Sequence, residues 1–142
     1  MENLNDWNLS RSRFWGIPLP IWRTEDGSIE KCIGNVAELG EEIAKANAAL
    51  GLNQEVPKDL HRPYIDDVVL VTEDGQKMNR ELDLIDVWFD SGSMPYAQWH
   101  YPMENKDVFE RNYPANFIAE GVDQTRGWFY TCLLYTSPSP RD

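Results

Sequence analysis

The run Phe117-Ile118-Ala119-Glu120-Gly121-Val122-Asp123-Gln124-Thr125-Arg126-Gly127-Trp128-Phe129 carries more of the fold assignment than any other part of the chain. Phe117 to Ala119 is a short apolar run behind a turn at Pro114, a pattern that suits a strand over 116–119 covered on both faces. Glu120-Gly121 stops that strand, and Asp123 can cap a helix beginning at Gln124. A strand-loop-helix unit over 116–131 follows. In an α/β sheet, ligands sit where a strand's carboxyl end meets a helix's amino end, because unpaired N–H groups and the helix dipole point there. This junction is crowded with polar side chains: Glu120, Asp123, Gln124, Thr125 and Arg126, with Trp128 one turn later. Residue types alone leave two readings open, a polar connection with a cap and a core Trp, or a ligand site.

The order of the residues adds to this. Glu-Gly-x-Asp-Gln-Thr-Arg-Gly-Trp-Phe resembles the strand-to-helix signature in the catalytic domain of isoleucyl-tRNA synthetases, a class I aminoacyl-tRNA synthetase family. Ser10-Arg11-Ser12-Arg13-Phe14-Trp15-Gly16-Ile17-Pro18 and Asp86-Val87-Trp88-Phe89-Asp90-Ser91-Gly92-Ser93 are similar to two further segments of that family, in the same chain order. The three matches cover most of residues 5–131. The valyl and leucyl relatives look different at the second and third segments.

The resemblance implies a two-step reaction. Isoleucine and ATP give isoleucyl-adenylate and pyrophosphate, and the acyl group then passes to the terminal ribose of tRNA(Ile). No protein nucleophile and no protein-held metal are implied; ATP enters as substrate with Mg2+ in the full-length enzyme. By motif, Glu120 and Asp123 would hold the adenylate's ribose, Gly121 would let its backbone come close, and Gln124 would contact the amino-acid end. Trp88 and Trp128 would wall the pocket for the branched side chain, since flat apolar surfaces need no polar partner there. Read without the resemblance, each Trp is equally an ordinary core residue. Arg11 and Arg13 would lie where the chain returns from the editing insertion, near the path of the tRNA 3′ end. Their alternative is stacking on the neighbouring Phe14 or Trp15. Such a pocket rejects valine poorly, because one missing methylene is worth only about 1–3 kcal/mol; the family's answer is a separate editing domain.

Gly75-Gln76-Lys77-Met78-Asn79-Arg80 is similar to the family's Lys-Met-Ser-Lys-Ser phosphate loop, but it precedes the Glu120 segment, whereas the family's loop follows it. It is read as a solvated hairpin strand. His-x-Gly-His, the other hallmark of the class, does not occur around His61 or His100. The chain is therefore expected to be an internal piece of a catalytic domain, inactive by itself and monomeric in full-length form.

A net charge of −11 argues against a main nucleic-acid surface, which should be basic, but allows a local patch at Arg11 and Arg13. Cys32 and Cys132 stand alone, so no zinc site or disulfide framework follows. With no signal peptide and no apolar run of transmembrane length, a cytoplasmic location is expected and a membrane partner is not.

The expected fold class is α/β: part of a Rossmann-like catalytic core with a small α+β insertion of hairpins and one helix. Residues 1–20 form the return segment, 21–83 the insertion, 84–131 the core part. In 132–142 the apolar helix face gives way to Ser137-Pro138-Ser139-Pro140, and this tail resembles translated sequencing adaptor. Asp-Gly at 26–27 and at 74–75 signals two hairpins, Pro20 to Ile33 and Asp67 to Glu81. Asn35 to Glu38 is a capping-box-like start; Val36, Leu39, Ile43, Ala46 and Leu50 recur at helical spacing; Gly51 stops a helix over 36–50. Leu84 to Phe89 reads as a strand, Asp90 to Ser93 as a tight turn, and Ser93 to Tyr96 as a helix start. Tyr96, Trp99 and Tyr101 read as a packing cluster, and Asn105 to Asn112 as a short helix. Two alternatives stand beside the preferred reading: another branched-chain class I synthetase, and a non-catalytic acidic module that uses its aromatics to hold a sugar or peptide.

Overall fold

The structure, a computed structural model, describes residues 6–129. Expectations for the end of the last helix, Cys132 and the tail lie outside the described residues. The chain divides into two units, Met1–Ile85 and Asp86–Asp142.

In the first unit, Ser10–Arg11 (β1) leads to Ile21–Thr24 (β2), which turns at Glu25-Asp26-Gly27 into Glu30–Cys32 (β3). Gly27 sits at φ 69°, the left-handed conformation for which the Asp-Gly pair is suited. Asp26 Oδ1 accepts from Thr24 Oγ1 and from Ser28 N, and these bonds hold its carboxyl below the ordinary range. Val36–Leu50 (α1) follows over the expected span. Asn35 Oδ1 accepts from Glu38 N, while Glu38 Oε2 reaches one residue past the usual capping-box partner to Gly34 N. Gly51 closes the helix at φ 68°.

Leu70–Val71 (β4) and Lys77–Arg80 (β5) form the second expected hairpin. β5 also pairs with β2, so the two hairpins merge into one sheet of order β3-β2-β5-β4. The Lys77-Met78 pair thus lies inside a strand, with Met78 fully buried. Leu84–Ile85 (β6) pairs with β1 in a separate two-stranded sheet. Leu39 and Ile43 of α1 pack on Trp22, Ile33, Ile65, Val68, Leu70 and Met78. Trp22 Nε1 donates to Val68 O at 2.8 Å, so its one polar atom is satisfied inside the core.

Charge is also buried in this unit. Arg80 has a fully buried side chain and pairs with Asp66, which accepts from Arg62 Nε at 2.8 Å as well. Burial pushes Asp66 up, but hydrogen bonds and charge from Arg80 and then Arg62 outweigh it, and the carboxyl lies below the ordinary range.

In the second unit the secondary structure departs from expectation. The strand expected at 84–89 shrinks to Leu84–Ile85, and a helix, Val87–Ala97 (α2), begins where the strand should have continued. Asp86 is the cause: its side chain accepts from Trp88 N, which starts the helix ahead of the expected turn at 90–93. Gly92 and Pro95 lie inside α2 and do not end it. Lys106–Asn112 (α3) forms as expected. Tyr96 and Tyr101 pack with Phe109 and Tyr113, the Tyr101–Phe109 centroids being 4.0 Å apart.

The strand expected at 116–119 is not formed. Residues 117–120 belong to no strand or helix, and Phe117 is 83% exposed. A parallel strand needs neighbouring strands to satisfy its N–H and C=O groups; every pairing among the described residues is antiparallel. The helix expected from Gln124 gives way to a 3-10 turn, Val122–Thr125, whose cap is Gly121 and not Asp123, and the backbone is helical again at 128–129. The architecture is mixed α/β, with antiparallel sheets and three α-helices among the described residues.

Candidate functional site

Six of the eight residues singled out from sequence belong to the second unit, and four of them line one cleft. Trp88 on α2 and Glu120, Gln124 and Trp128 in the segment around the 3-10 turn share it with Val87, Asp90, Ser91 and Met94. Its volume of about 610 Å³ falls within the range of roughly 300–1,000 Å³ common for small-molecule sites.

α2 supplies its wall through helical geometry. Val87, Ser91 and Met94 are spaced i, i+4, i+7 and so share one face. Trp88 packs beside them against the backbone of Gly127: a Cβ built there would stand 2.8 Å from Trp88 Cη2. Gly127 is therefore the one residue type that lets this ring lie where it does. Trp128, from the segment after the 3-10 turn, is held at two points. Its backbone N donates to Gln124 Oε1 at 2.9 Å, and its indole Nε1 donates to Ser91 Oγ at 2.8 Å, a bond that spans 37 residues of sequence. Aromatic surface thus lies on both segments, with carboxylates beside it.

Gly121 and Asp123 do not line the cleft, although they lie between Glu120 and Gln124 in the chain. The Asp123 carboxylate lies so near Gly121 that an added Cβ would be 2.5 Å from its Oδ1. Gln124 Nε2 donates to Asp123 Oδ2 at 3.3 Å. Asp123 makes no side-chain cap bond to the turn, and both it and Glu120 are exposed. Each can accept hydrogen bonds from hydroxyl groups.

Asp90 was not singled out from sequence. Burial, and then the charge of Asp86, hold its carboxyl above the ordinary range. Neither it nor Ser91 is visible as a site residue when 84–89 is read as a strand and 90–93 as a turn. The signal that could have found them is the helical period linking Val87, Ser91 and Met94.

Arg11 and Arg13 belong to the first unit. Arg11 Nη1 donates to Asn8 O at 2.6 Å and to Ser10 O at 2.8 Å. The cation stacked on Phe14 is Arg62, 5.7 Å from the ring centroid, and Arg62 Nη1 also donates to Arg13 O. Trp15 stacks on His61 with the rings 5.6 Å apart and nearly parallel. Phe14 and Trp15 nevertheless keep most of their surface exposed. The first unit also holds an apolar cavity of about 200 Å³ beside Ile17, Trp22 and Leu39, but no charged side chain lines it, so it has nothing to orient a phosphate or carboxylate.

Residues 1–138 match the family described as tRNA synthetases class I (I, L, M and V). The chain belongs to this class I tRNA synthetase family. Among similar proteins, one named isoleucine–tRNA ligase from Cytophaga hutchinsonii is 71% identical over 132 residues, covering 92% of this chain and 12% of that protein. A Bacteroides thetaiotaomicron protein of the same name is 61% identical over 92% of this chain and 13% of its own length. One from Clostridium novyi is 54% identical over 96% of this chain and 12% of its own length. The chain thus spans about 12–13% of the curated relatives it matches. The three segments that carried the resemblance to isoleucyl synthetases fall within the matched span, and the relatives carry that name. Among the described residues of this class I synthetase chain, no three His, Cys, Asp or Glu side chains cluster as a metal site. No helix among them is long and apolar enough to cross a membrane.

Proposed function

We propose that the chain is part of an isoleucine–tRNA ligase and supplies part of its amino-acid activation site. In that reaction the isoleucine carboxylate attacks the α-phosphate of ATP, pyrophosphate leaves, and isoleucyl-adenylate stays bound. A hydroxyl of the terminal ribose of tRNA(Ile) then takes the isoleucyl group, the acyl–phosphate bond breaks and AMP leaves. The observation that carries the reading is the cleft itself, where Trp88 and Trp128 face a common space with Glu120 and Gln124 at its edge.

Each residue has a holding task and none is a nucleophile. Trp88 and Trp128 enclose the branched side chain and exclude water from it. Glu120 and Asp123 accept from the ribose hydroxyls of the adenylate, and Gly121 allows its approach. Gln124 spends one lone pair on Trp128 N, so its contact with the amino-acid end uses its amide N–H or the remaining lone pair. Holding the carboxylate in line with the phosphate is the main catalytic contribution available to such a set. Mg2+ arrives with the ATP phosphates as part of the substrate. Arg11 and Arg13 border the path of the tRNA 3′ end. Residues 1–20 act as the return segment, 21–83 as an insertion and 84–131 as part of a Rossmann-like core. A cytoplasmic, monomeric full-length enzyme goes with this reading.

The test uses the full-length enzyme that contains this chain and measures ATP–pyrophosphate exchange with isoleucine and with valine. Glu120→Gln should lower kcat/KM for both amino acids by a similar factor, since losing a charge-assisted hydrogen bond costs about 1.5–3 kcal/mol. Trp128→Ala should change the ratio between them, because the space it leaves removes contacts that differ for the two side chains. The roles are wrong if Glu120→Gln shifts the ratio while Trp128→Ala lowers both equally.

A further inference from the structure

We propose that Ser91 is a positioning residue that sets amino-acid discrimination by holding the Trp128 ring, an inference that rests on the reading of the cleft as the isoleucine pocket. The indole of Trp has a single donor, and that of Trp128 is taken by Ser91 Oγ at 2.8 Å. A Trp side chain turns about two bonds between backbone and ring. The Gln124 bond to Trp128 N fixes the backbone end, and the Ser91 bond fixes the far edge of the ring. Between them the plane of the wall is set.

The two anchors differ in what they would do when lost. Gln124 lies in the same segment as Trp128 and binds it locally. Ser91 lies on α2, the element that also carries Trp88. Its hydroxyl therefore ties one aromatic residue of the cleft to the helix that carries the other, and the placement of the two rings relative to one another depends on it. Pocket width is what separates side chains differing by one methylene. Removing the hydroxyl leaves the indole N–H to find another acceptor inside the cleft, which turns the ring and loosens the fit for isoleucine more than for valine. Ser91 is itself exposed, so its substitution leaves no buried cavity.

The experiment compares Ser91→Ala, Ser91→Thr, Trp128→Phe and the Ser91→Ala/Trp128→Phe double variant with the parent full-length enzyme. It reads kcat/KM for exchange with isoleucine and with valine, and KM for ATP. The isoleucine-to-valine ratio should fall about threefold to tenfold in Ser91→Ala, the loss of one hydrogen bond, with KM for ATP unchanged. Threonine keeps the hydroxyl and should restore the ratio. In the Trp128→Phe background, which has no indole N–H, Ser91→Ala should have no further effect on the ratio. A merely structural role would lower both amino acids together and add to Trp128→Phe. An unchanged ratio in Ser91→Ala, or an equal drop in both backgrounds, overturns the proposal while leaving the pocket assignment standing. Absence of isoleucine-dependent exchange in the parent enzyme would instead remove the assignment, and this inference with it.

Discussion

Replacing Gly127 by Ala tests how closely the cleft is built, and the structure supplies the size of the effect. Gly127 is buried, and its φ lies outside the left-handed region, so alanine's backbone is tolerated and the conflict is purely one of space. The new methyl would stand 2.7 Å from Gln124 Oε1 and 2.8 Å from Trp88 Cη2. Ordinary contact begins at 3.4 Å, so the ring must retreat by about 0.6 Å and the amide oxygen by about 0.7 Å. That second shift would stretch the 2.9 Å bond to Trp128 N beyond useful length. Overpacking of this kind costs about 1–3 kcal/mol. Trp88 is 40% exposed and can swing outward, so the fold should give up only the lower part of that, about 1 kcal/mol. On the proposed reading of the cleft, the substrate would meet the displaced wall in full. At about 1.4 kcal/mol per tenfold, kcat/KM for isoleucine should fall roughly fivefold to 150-fold. The assay is ATP–pyrophosphate exchange in the full-length enzyme, with Tm measured alongside. A variant within about twofold of the parent in kcat/KM, with Tm unchanged, would refute the packing argument and the placement of Trp88 in the pocket.

Two further outcomes concern charge. Asp66→Ala strips the buried Arg80 of its carboxylate, and Arg80 keeps only the carbonyls of Leu19, Glu81 and Asp83. Removing one partner of a buried pair puts the expected loss at about 3 kcal/mol, read as faster amide exchange in β5; a change under about 1 kcal/mol would contradict the buried-pair account. Because the folded carboxyl of Asp66 is depressed, its stabilisation is complete above the unfolded value near 3.8 and is lost as pH falls through the lower folded value. Asp90 has the opposite sign: its folded carboxyl is raised, so ionisation costs stability that appears as pH rises through the unfolded value and is complete above the folded one. Asp90→Asn should therefore raise Tm at pH 7, with the gain shrinking towards pH 4; an equal gain at both pH values would show that charge is not the cause.

The parts legible in the sequence were those whose signals are local. α1 is written in a 3.6-residue apolar period with Asn35 before it and Gly51 after it, and each signal acts within a few residues. Both hairpins are written in Asp-Gly pairs. Glu42 marks the limit of that reading: it lies on the buried face of α1, where only the amines of Lys31 and Lys45 make a carboxylate acceptable. Lys31 comes from β3, and no local pattern announces a partner across the fold. Burial pushes Glu42 up, yet the two lysines bring its carboxyl below the ordinary range.

The second unit shows why residues picked out by motif can line one cleft when their elements are misread. Leu84 to Phe89 is apolar and rich in β-formers, and a run this short fits strand and buried helix alike. Gly92 and Pro95 then argue against a helix through 87–97. A single side chain decides the matter, because Asp86 accepts from Trp88 N and opens α2. Trp88, Glu120, Gln124 and Trp128 were still assigned together, since motif order depends on residue identity and not on backbone conformation. Asp90 and Ser91 were missed because their membership follows from conformation alone. Read as a turn, 90–93 presents no regular face, so neither residue is placed beside Trp88. In α2, Val87, Asp90, Ser91 and Met94 share one face, and that helical period is what brings the Ser91 hydroxyl to the Trp128 indole.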